Sequence, residues 1–299
     1  MIIFSQLVTM VMLMALGVLC YKRNLLDDNA NKKLSSLVLM VVNPTVIVMS
    51  YHRPFEMELL QGLLIAVGLS VVSHAIGLGL THAVYRKKGE ETFSLEKFGS
   101  VYSNSGFIGI PLVNGVFGWE GVFYLTAYMS VFNLLCWTHG VVIMDGRSDI
   151  KALKKAFLSP PLVAMYIGLI LFAGSITLPG FITHPLELLG ATNTPLAMLV
   201  AGVSLAKISL FSTLKNARIY KVCIMRLVLI PLAFMFVLNF LNVSPIIAGT
   251  IMLVTACPAA ANIILFAHRH DKNYEYAAQI FVVTTVLSVV TIPLIMLLL

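Results

Sequence analysis

Hydrophobic runs of about twenty residues recur along the whole chain and are separated by short polar segments. A helix of about 20 apolar residues crosses the hydrocarbon core of a bilayer, where every backbone hydrogen bond must be made within the protein. The pattern therefore predicts an all-α membrane protein. The ten predicted spans cover residues 2–20, 34–51, 58–84, 98–117, 121–144, 160–177, 186–205, 219–240, 245–266 and 276–298.

Composition agrees with this prediction. Of the 299 residues, 59% are hydrophobic and 11% are charged, whereas a soluble domain has about 25% charged residues. The four cysteines show no metal-binding spacing and lie in or beside predicted spans, so we expect free thiols. No metal or cofactor is expected. The first hydrophobic run has neither a basic segment before it nor a small-residue cleavage site after it, so we expect it to be retained.

The basic residues predict an orientation. The odd-numbered loops contain 18 of the lysines and arginines, and the even-numbered loops contain one, Arg53. Because cytoplasmic loops are enriched in basic residues, the odd loops are predicted to be cytoplasmic and both termini to face outward. Topology therefore accounts for the positive net charge, and no nucleic-acid partner is expected.

The ten spans divide into two groups of five. Because each group has an odd number of spans, the second group begins on the opposite side of the membrane, and the two groups have opposite orientations. The predicted units are a first repeat (1–144), a short cytoplasmic linker (145–159) and a second repeat (160–299). Two interruptions in the first group have counterparts in the second group, 151 and 147 residues further along the chain. These similar offsets support an inverted repeat like that of many secondary transporters. The interrupting residues are Asn43-Pro44 and Pro111 in the first half, and Thr194-Pro195 and Pro258 in the second.

The interruptions in spans four and nine suggest a binding site. Because proline is tolerated at the first position of a helix, Pro111 and Pro258 are predicted to begin the second halves of these spans. Each helix start carries roughly half a positive elementary charge, and two such starts can hold an anion. Asn104 and Ser105 before one break and Asn262 after the other are predicted to bind a carboxylate or to satisfy freed backbone groups. Asn43 in span two is also predicted to bind the substrate. The alternative is that the glycines and prolines only kink packed helices.

Few titratable residues fall within the predicted spans. All 13 acidic residues lie in loops or at span ends, which argues against an antiporter with paired aspartates. Proton coupling would require His74 or His139, for which a packing role is the alternative. Arg226 is expected to extend to the cytoplasmic face, with a substrate-facing role as the alternative. No metalloprotease, serine-hydrolase or P-loop motif is present, so no enzyme is predicted.

Four motifs, in this order and spacing, resemble the auxin efflux carrier (AEC) family, and more closely its bacterial-type members than the plant PIN auxin carriers. They are "VVNPTVIV" (Val41–Val48), "SNSGFIGIPLV" (Ser103–Val113), "NTPLAMLVAGVSLA" (Asn193–Ala206) and "ACPAAANIILFA" (Ala256–Ala267). The resemblance implies a ten-helix fold like that of sodium/proton antiporters and bile-acid symporters. It further implies a scaffold from spans 1, 2, 6 and 7, often dimeric, and a transport domain from spans 3–5 and 8–10 that moves like an elevator.

The same resemblance implies a substrate class and site residues. Spans four and nine would cross at a site for small organic anions such as auxin, malate or malonate, in the cell inner membrane. The crossover prolines match Pro111 and Pro258, and the adjacent amides match Asn104 and Asn262. Asn133 stands four residues before Trp137, where plant carriers have a longer glutamine. The long hydrophilic loop of many plant members is absent. A sodium-coupled symporter of the bile-acid type and a membrane sensor that does not transport remain alternatives.

Overall fold

A computed structural model describes residues 2–85, 92–146, 154, 157–208, 213 and 216–299. Its helices are α1 (Ile2–Lys22), α2 (Asp28–Leu37), α3 (Asn43–Ser50), α4 (Met57–Val84), α5 (Phe93–Val101), α6 (Ile110–Trp137), α7 (His139–Asp145), α8 (Pro160–Ala173), α9 (Gly180–Ala191), α10 (Asn193–Ala206), α11 (Ala217–Ile224), α12 (Ile230–Leu238), α13 (Pro245–Thr255), α14 (Asn262–Arg269) and α15 (Tyr274–Leu298). Among the described residues, three wide π-helical turns each lead directly into the helix that follows: Val38–Val42 into α3, Ser105–Gly109 into α6 and Met225–Leu229 into α12.

The described residues confirm an all-helical, multi-pass membrane protein. Seven helical segments among them are long and apolar enough to cross a membrane: Ile2–Lys22, Asp28–Ser50, Met57–Val84, Ser105–Asp145, Gly180–Ala206, Ala217–Leu238 and Tyr274–Leu298. Two shorter apolar helices, Pro160–Ala173 and Pro245–Thr255, accompany them. Exposed side chains along these segments are largely apolar, as a lipid-facing surface requires.

The segment Ser105–Asp145 has 41 residues. A straight helix of this length would extend about 60 Å, twice the thickness of the hydrocarbon core. Gly118 interrupts the helix with φ 62° and ψ −157°, a conformation that glycine adopts without a steric penalty. The chain therefore changes direction where the hydrophobic pattern predicts the loop between spans four and five.

The prediction that Asn43-Pro44 interrupts span two is wrong. The helical segment Asp28–Ser50 is continuous, and the π-helical turn Val38–Val42 ends two residues before Pro44. Proline lacks an N–H donor and its ring clashes with the carbonyl four residues earlier. The wide turn accommodates this defect because its hydrogen bonds span five residues, as in the bond from Asn43 N to Val38 O.

Span seven is bent rather than broken. Helix α9 ends at Ala191 and α10 begins at Asn193, with Thr192 as a single turn residue between them. The bend lies three residues before Pro195, and the segment Gly180–Ala206 still has the length of one span. The predicted interruption at Thr194-Pro195 is therefore only a local change of direction.

The packing of the helices positions the interrupted segments beside each other. Helix α6 packs against α4 and α13, and α1 packs against α10. The contact between α1 and α10 is very close because Gly17 and Gly202 face each other. Small residues allow this approach of two helix backbones in a membrane.

Candidate functional site

Two interrupted helical segments cross at their breaks. Helix α5 ends at Val101 and α13 ends at Thr255, and an extended stretch follows each. The two stretches run antiparallel: Asn104 N donates to Pro258 O at 2.8 Å, and Ala260 N donates to Tyr102 O at 2.8 Å. Each break therefore satisfies backbone groups of the other, which the interior of a membrane requires.

The second halves begin at Ser105, which Asn104 caps, and at Asn262, and not at the prolines as predicted. Asn104 caps the π-helical turn before α6, where its Oδ1 accepts a hydrogen bond from Phe107 N at 3.2 Å. Pro111 lies seven residues further along, after that turn. Asn262 is the first residue of α14, and Pro258 lies four residues earlier in the extended stretch. The capping amide of Asn104 decides where the first of these halves starts. The pairing of the two extended stretches, which a local pattern does not show, contributes at both starts.

A small cavity lined by both polar and apolar side chains lies against the crossing. Its volume is about 50 Å³. The predicted site residues that line it are Asn43, Asn104, Ser105, Asn133 and Asn262. These residues come from α3, from both breaks and from α6, so the fold assembles side chains that are far apart in the sequence.

Two amide nitrogens beside this cavity have no hydrogen-bond partner among the described residues. They are the side-chain nitrogens of Asn43 and Asn104, which are buried and for which the described part of the chain offers no acceptor within reach. The other half of the Asn43 amide is held in place, because Asn193 Nδ2 donates to Asn43 Oδ1 at 2.5 Å. Asn133 Nδ2 donates to Met129 O at 2.8 Å. An unpaired buried donor costs about 1–3 kcal/mol, so the two free N–H₂ groups favour a ligand that supplies acceptors.

A second, larger cavity lies beside the first. Its volume is about 490 Å³, and both cavities are lined by Leu39, Phe107, Ala261 and Asn262. Apolar side chains line much of the larger cavity, including those of Val200, Ile264, Leu265 and Phe281. Polar side chains also line it, including those of Asp28, Lys32, Lys207 and His268. We call this larger cavity the vestibule. The basic-residue pattern predicts that its charged end faces the cytoplasm.

The two predicted coupling histidines lie outside both cavities. His74 is buried in α4, where its Nδ1 lies 2.8 Å from Ser70 O and its ring packs on Tyr128 with centroids 4.6 Å apart. Its Nε2 has no partner. His139 begins α7, and its Nδ1 lies 3.0 Å from the hydroxyl of Tyr102. Both contacts fit a packing role, and a role in proton coupling stays a prediction.

The expectation that Arg226 extends to the cytoplasmic face is wrong. Its side chain is only 1% exposed. The guanidinium donates hydrogen bonds to the backbone carbonyls of Ser100, Val101 and Thr255. Sequence reasoning missed this arrangement because the three carbonyls come from two other helices. The local signal is an arginine about eight residues inside an otherwise apolar span.

These features define a multi-pass helical membrane protein with a cavity, partly lined by amide side chains, where two interrupted helices cross. A family model described as "Membrane transport protein" matches residues 2–151 and 147–296. The chain therefore belongs to this family, which is the auxin efflux carrier family that the motifs indicated. It is a family of transporters and not of enzymes.

Two relatives are similar along nearly their whole length. An uncharacterized transporter from Methanothermobacter thermautotrophicus is 23% identical over 298 residues, which cover 97% of this chain and 96% of the relative. An uncharacterized transporter from Methanocaldococcus jannaschii is 24% identical over 287 residues, which cover 90% of each chain. Both comparisons agree with a membrane transport protein.

Proposed function

We propose that this protein is a secondary carrier of small organic anions and binds the carboxylate of its substrate at the helix crossing. The observation that carries the proposal is the pair of unpartnered side-chain nitrogens, Asn43 Nδ2 and Asn104 Nδ2, beside one cavity. Both are donors, and a carboxylate is an acceptor with about four lone-pair sites. The second halves of the two interrupted segments begin at Ser105 and Asn262, so their positive ends add to the attraction.

The cavity sizes suggest how a substrate is accommodated. A single water needs about 10–15 Å³ in such a volume. The inner cavity of about 50 Å³ has room for a carboxylate group and not for a whole organic acid. The body of the substrate would then occupy the vestibule of about 490 Å³. Monocarboxylates with an apolar body, like auxin-like acids, match the apolar lining better than malate or malonate, which carry a second charge.

The proposed transport mechanism is alternating access by an elevator movement in a ten-span, five-plus-five inverted repeat. The crossing of two interrupted segments and the pairing of Asn43 with Asn193, which are 150 residues apart, support it. A cavity that opens toward the predicted cytoplasmic side corresponds to one end point of the cycle. The scaffold helices would also form the contact of a homodimer in the cell inner membrane.

The first experiment tests for an anion site. Purified protein is mixed with a carboxylate or with its methyl ester, and the shift in Tm is measured, because a ligand that binds only the folded state raises stability. We expect a shift with the acid and none with the ester. Equal shifts with both ligands would contradict the carboxylate site.

Substitutions at Asn104 sharpen the test. Asn104→Ala should weaken binding about tenfold, which corresponds to one lost hydrogen bond of about 1.5 kcal/mol. Asn104→Asp should weaken it more, because like charges 4 Å apart repel by about 4 kcal/mol at an effective dielectric constant near 20. The matched control is Asn242→Asp, since Asn242 lines a separate cavity. Normal binding by Asn104→Asp would contradict the proposal.

Flux measurements separate the alternatives. A carrier moves the carboxylate into proteoliposomes without added sodium. Binding without flux would indicate a membrane sensor, and flux that requires sodium would indicate a symporter of the bile-acid type. Either result would leave the carboxylate site intact and would replace the proposed mechanism.

A further inference from the structure

A buried cation joins the carboxyl-terminal ends of both interrupted helices. Arg226 lies in the π-helical turn Met225–Leu229 and is 1% exposed. Its Nη1 donates to Val101 O at 2.7 Å and to Ser100 O at 3.3 Å, and its Nη2 donates to Thr255 O. Val101 is the last residue of α5 and Thr255 is the last residue of α13. One side chain therefore binds the terminal carbonyls of two helices.

The charges at this point balance without an acidic residue. The last carbonyls of a helix have no partner within the helix, and they carry about half a negative elementary charge in total. Two helix ends amount to about one negative charge, and the guanidinium, which stays protonated in proteins, supplies one positive charge. In the part of the chain that the structure describes, no carboxylate forms an ion pair with Arg226. The helix ends are therefore its counter-charge.

This arrangement affects the anion site on the other side of the breaks. The crossing brings four helix ends together, two positive and two negative, and their fields oppose each other. In transporters with interrupted helices, carbonyls at the ends of half-helices are ligands for coupling cations such as Na⁺. In this protein the guanidinium of Arg226 already occupies the carbonyls of Val101 and Thr255.

We propose that Arg226 is a built-in cation of the transport site, which neutralises the two negative helix ends in place of a bound sodium ion. The positive ends at Ser105 and Asn262 then act on the substrate without competition. The inference rests on the proposed anion site and adds how that site is kept positive. It follows that the protein binds its carboxylate equally well with and without sodium.

The first test uses the unmodified protein. The Tm shift caused by a carboxylate is titrated in sodium buffer and in choline buffer of the same ionic strength. We expect the same midpoint in both buffers. A midpoint at least tenfold lower in sodium would overturn the role of Arg226 and would leave the anion site standing. Absence of any Tm shift in both buffers would overturn the proposed function. The Tm values of the Arg226 variants described below would then test whether Arg226 neutralises the helix ends.

The second test separates the charge of Arg226 from its shape. Arg226→Ala should lower the Tm and abolish the response to the carboxylate. Millimolar guanidinium should restore both in a saturable manner, because it fits the vacated space and donates to the same carbonyls. Urea has nearly the same shape and no charge, so at the same concentration it should restore neither. Equal rescue by urea, or carboxylate binding by Arg226→Ala as strong as in the wild type, would overturn the proposal.

Two further variants complete the design. Lys221→Ala removes a cation from the same helical segment, where Lys221 lies over the ring of Tyr85. Guanidinium should not change its Tm or its carboxylate response. Arg226→Lys keeps the charge and should keep sodium-independent binding, with a reduced Tm because an ammonium group cannot reach all three carbonyls in the same geometry. If Arg226→Ala does not fold, sodium-dependent binding by Arg226→Lys would overturn the proposal and sodium-independent binding would support it.

Discussion

The close contact between α1 and α10 yields a prediction that can be worked out from distances. A Cβ atom added at Gly202 would lie 2.1 Å from Met14 O and 3.0 Å from the Cα of Gly17. Non-bonded heavy atoms are about 3.5–4.0 Å apart at their optimum. The nearest atoms belong to the backbone, so Gly202→Ala forces the two helices apart by more than about 1 Å.

The expected cost combines two opposing effects. Overpacking a well-packed interior costs about 1–3 kcal/mol. Alanine has a better helix propensity than glycine by up to about 1 kcal/mol, which offsets part of this cost. We therefore expect a net loss of about 1–2 kcal/mol in the free energy of unfolding. At about 2–4 °C per kcal/mol, the Tm falls by roughly 2–8 °C.

The assay is thermal unfolding of purified protein in detergent, followed as the loss of the monodisperse peak in size-exclusion chromatography. Gly68→Ala and Gly79→Ala are the matched controls, because both glycines lie in α4 and an added Cβ meets no heavy atom within 4 Å. The controls should keep or raise the Tm. If Gly202→Ala is as stable as these controls, the close approach of α1 and α10 is incorrect.

Three further predictions concern the site and the orientation. Asn43→Ala and Asn193→Ala should each lower the free energy of unfolding by about 1–3 kcal/mol, because each single variant leaves the other amide unpaired. The double variant should lose less than the sum of the two single losses, and strictly additive losses, derived from the Tm, would contradict the hydrogen bond between the two amides. In a cysteine-free background, Thr177→Cys should react with an impermeant thiol reagent added outside cells and Arg23→Cys should not, and the opposite labelling would reverse the predicted orientation. Lys32→Gln should slow transport from the cytoplasmic side roughly two- to fivefold at low ionic strength, an effect of about 0.4–1 kcal/mol, and not near 1 M salt, where the Debye length is about 3 Å. An equal reduction at both salt concentrations would exclude long-range attraction by the vestibule.

The positions of the helices could be predicted well from the sequence. The bilayer acts on each segment separately, so a long apolar run is enough to identify a spanning helix. The polar residues around Asn104 and Asn262 stand out for the same reason, because they interrupt apolar runs. Both asparagines lie at the crossing and line its cavity.

The role of the prolines could not be predicted in this way. Pro44 and Pro111 each follow a π-helical turn and continue a helix, whereas Pro258 lies in an extended stretch. All three are prolines within apolar runs. The difference arises from what the neighbouring backbone can bond to: Pro258 O accepts from Asn104 N, 154 positions earlier in the chain, and this partner permits the break.

The sequence by itself determined an all-helical membrane protein, the places where polar residues enter its spans, and the family to which it belongs. Only the tertiary structure decided which side chains share the cavity, that Asn43 pairs with Asn193, and that Arg226 faces inward. The physical reason is that the apolar character of a single segment is enough to bury it in lipid. A polar group within that segment, by contrast, forms hydrogen bonds with partners that other segments supply. For Arg226 these partners are carbonyls 125, 126 and 29 residues away in the chain.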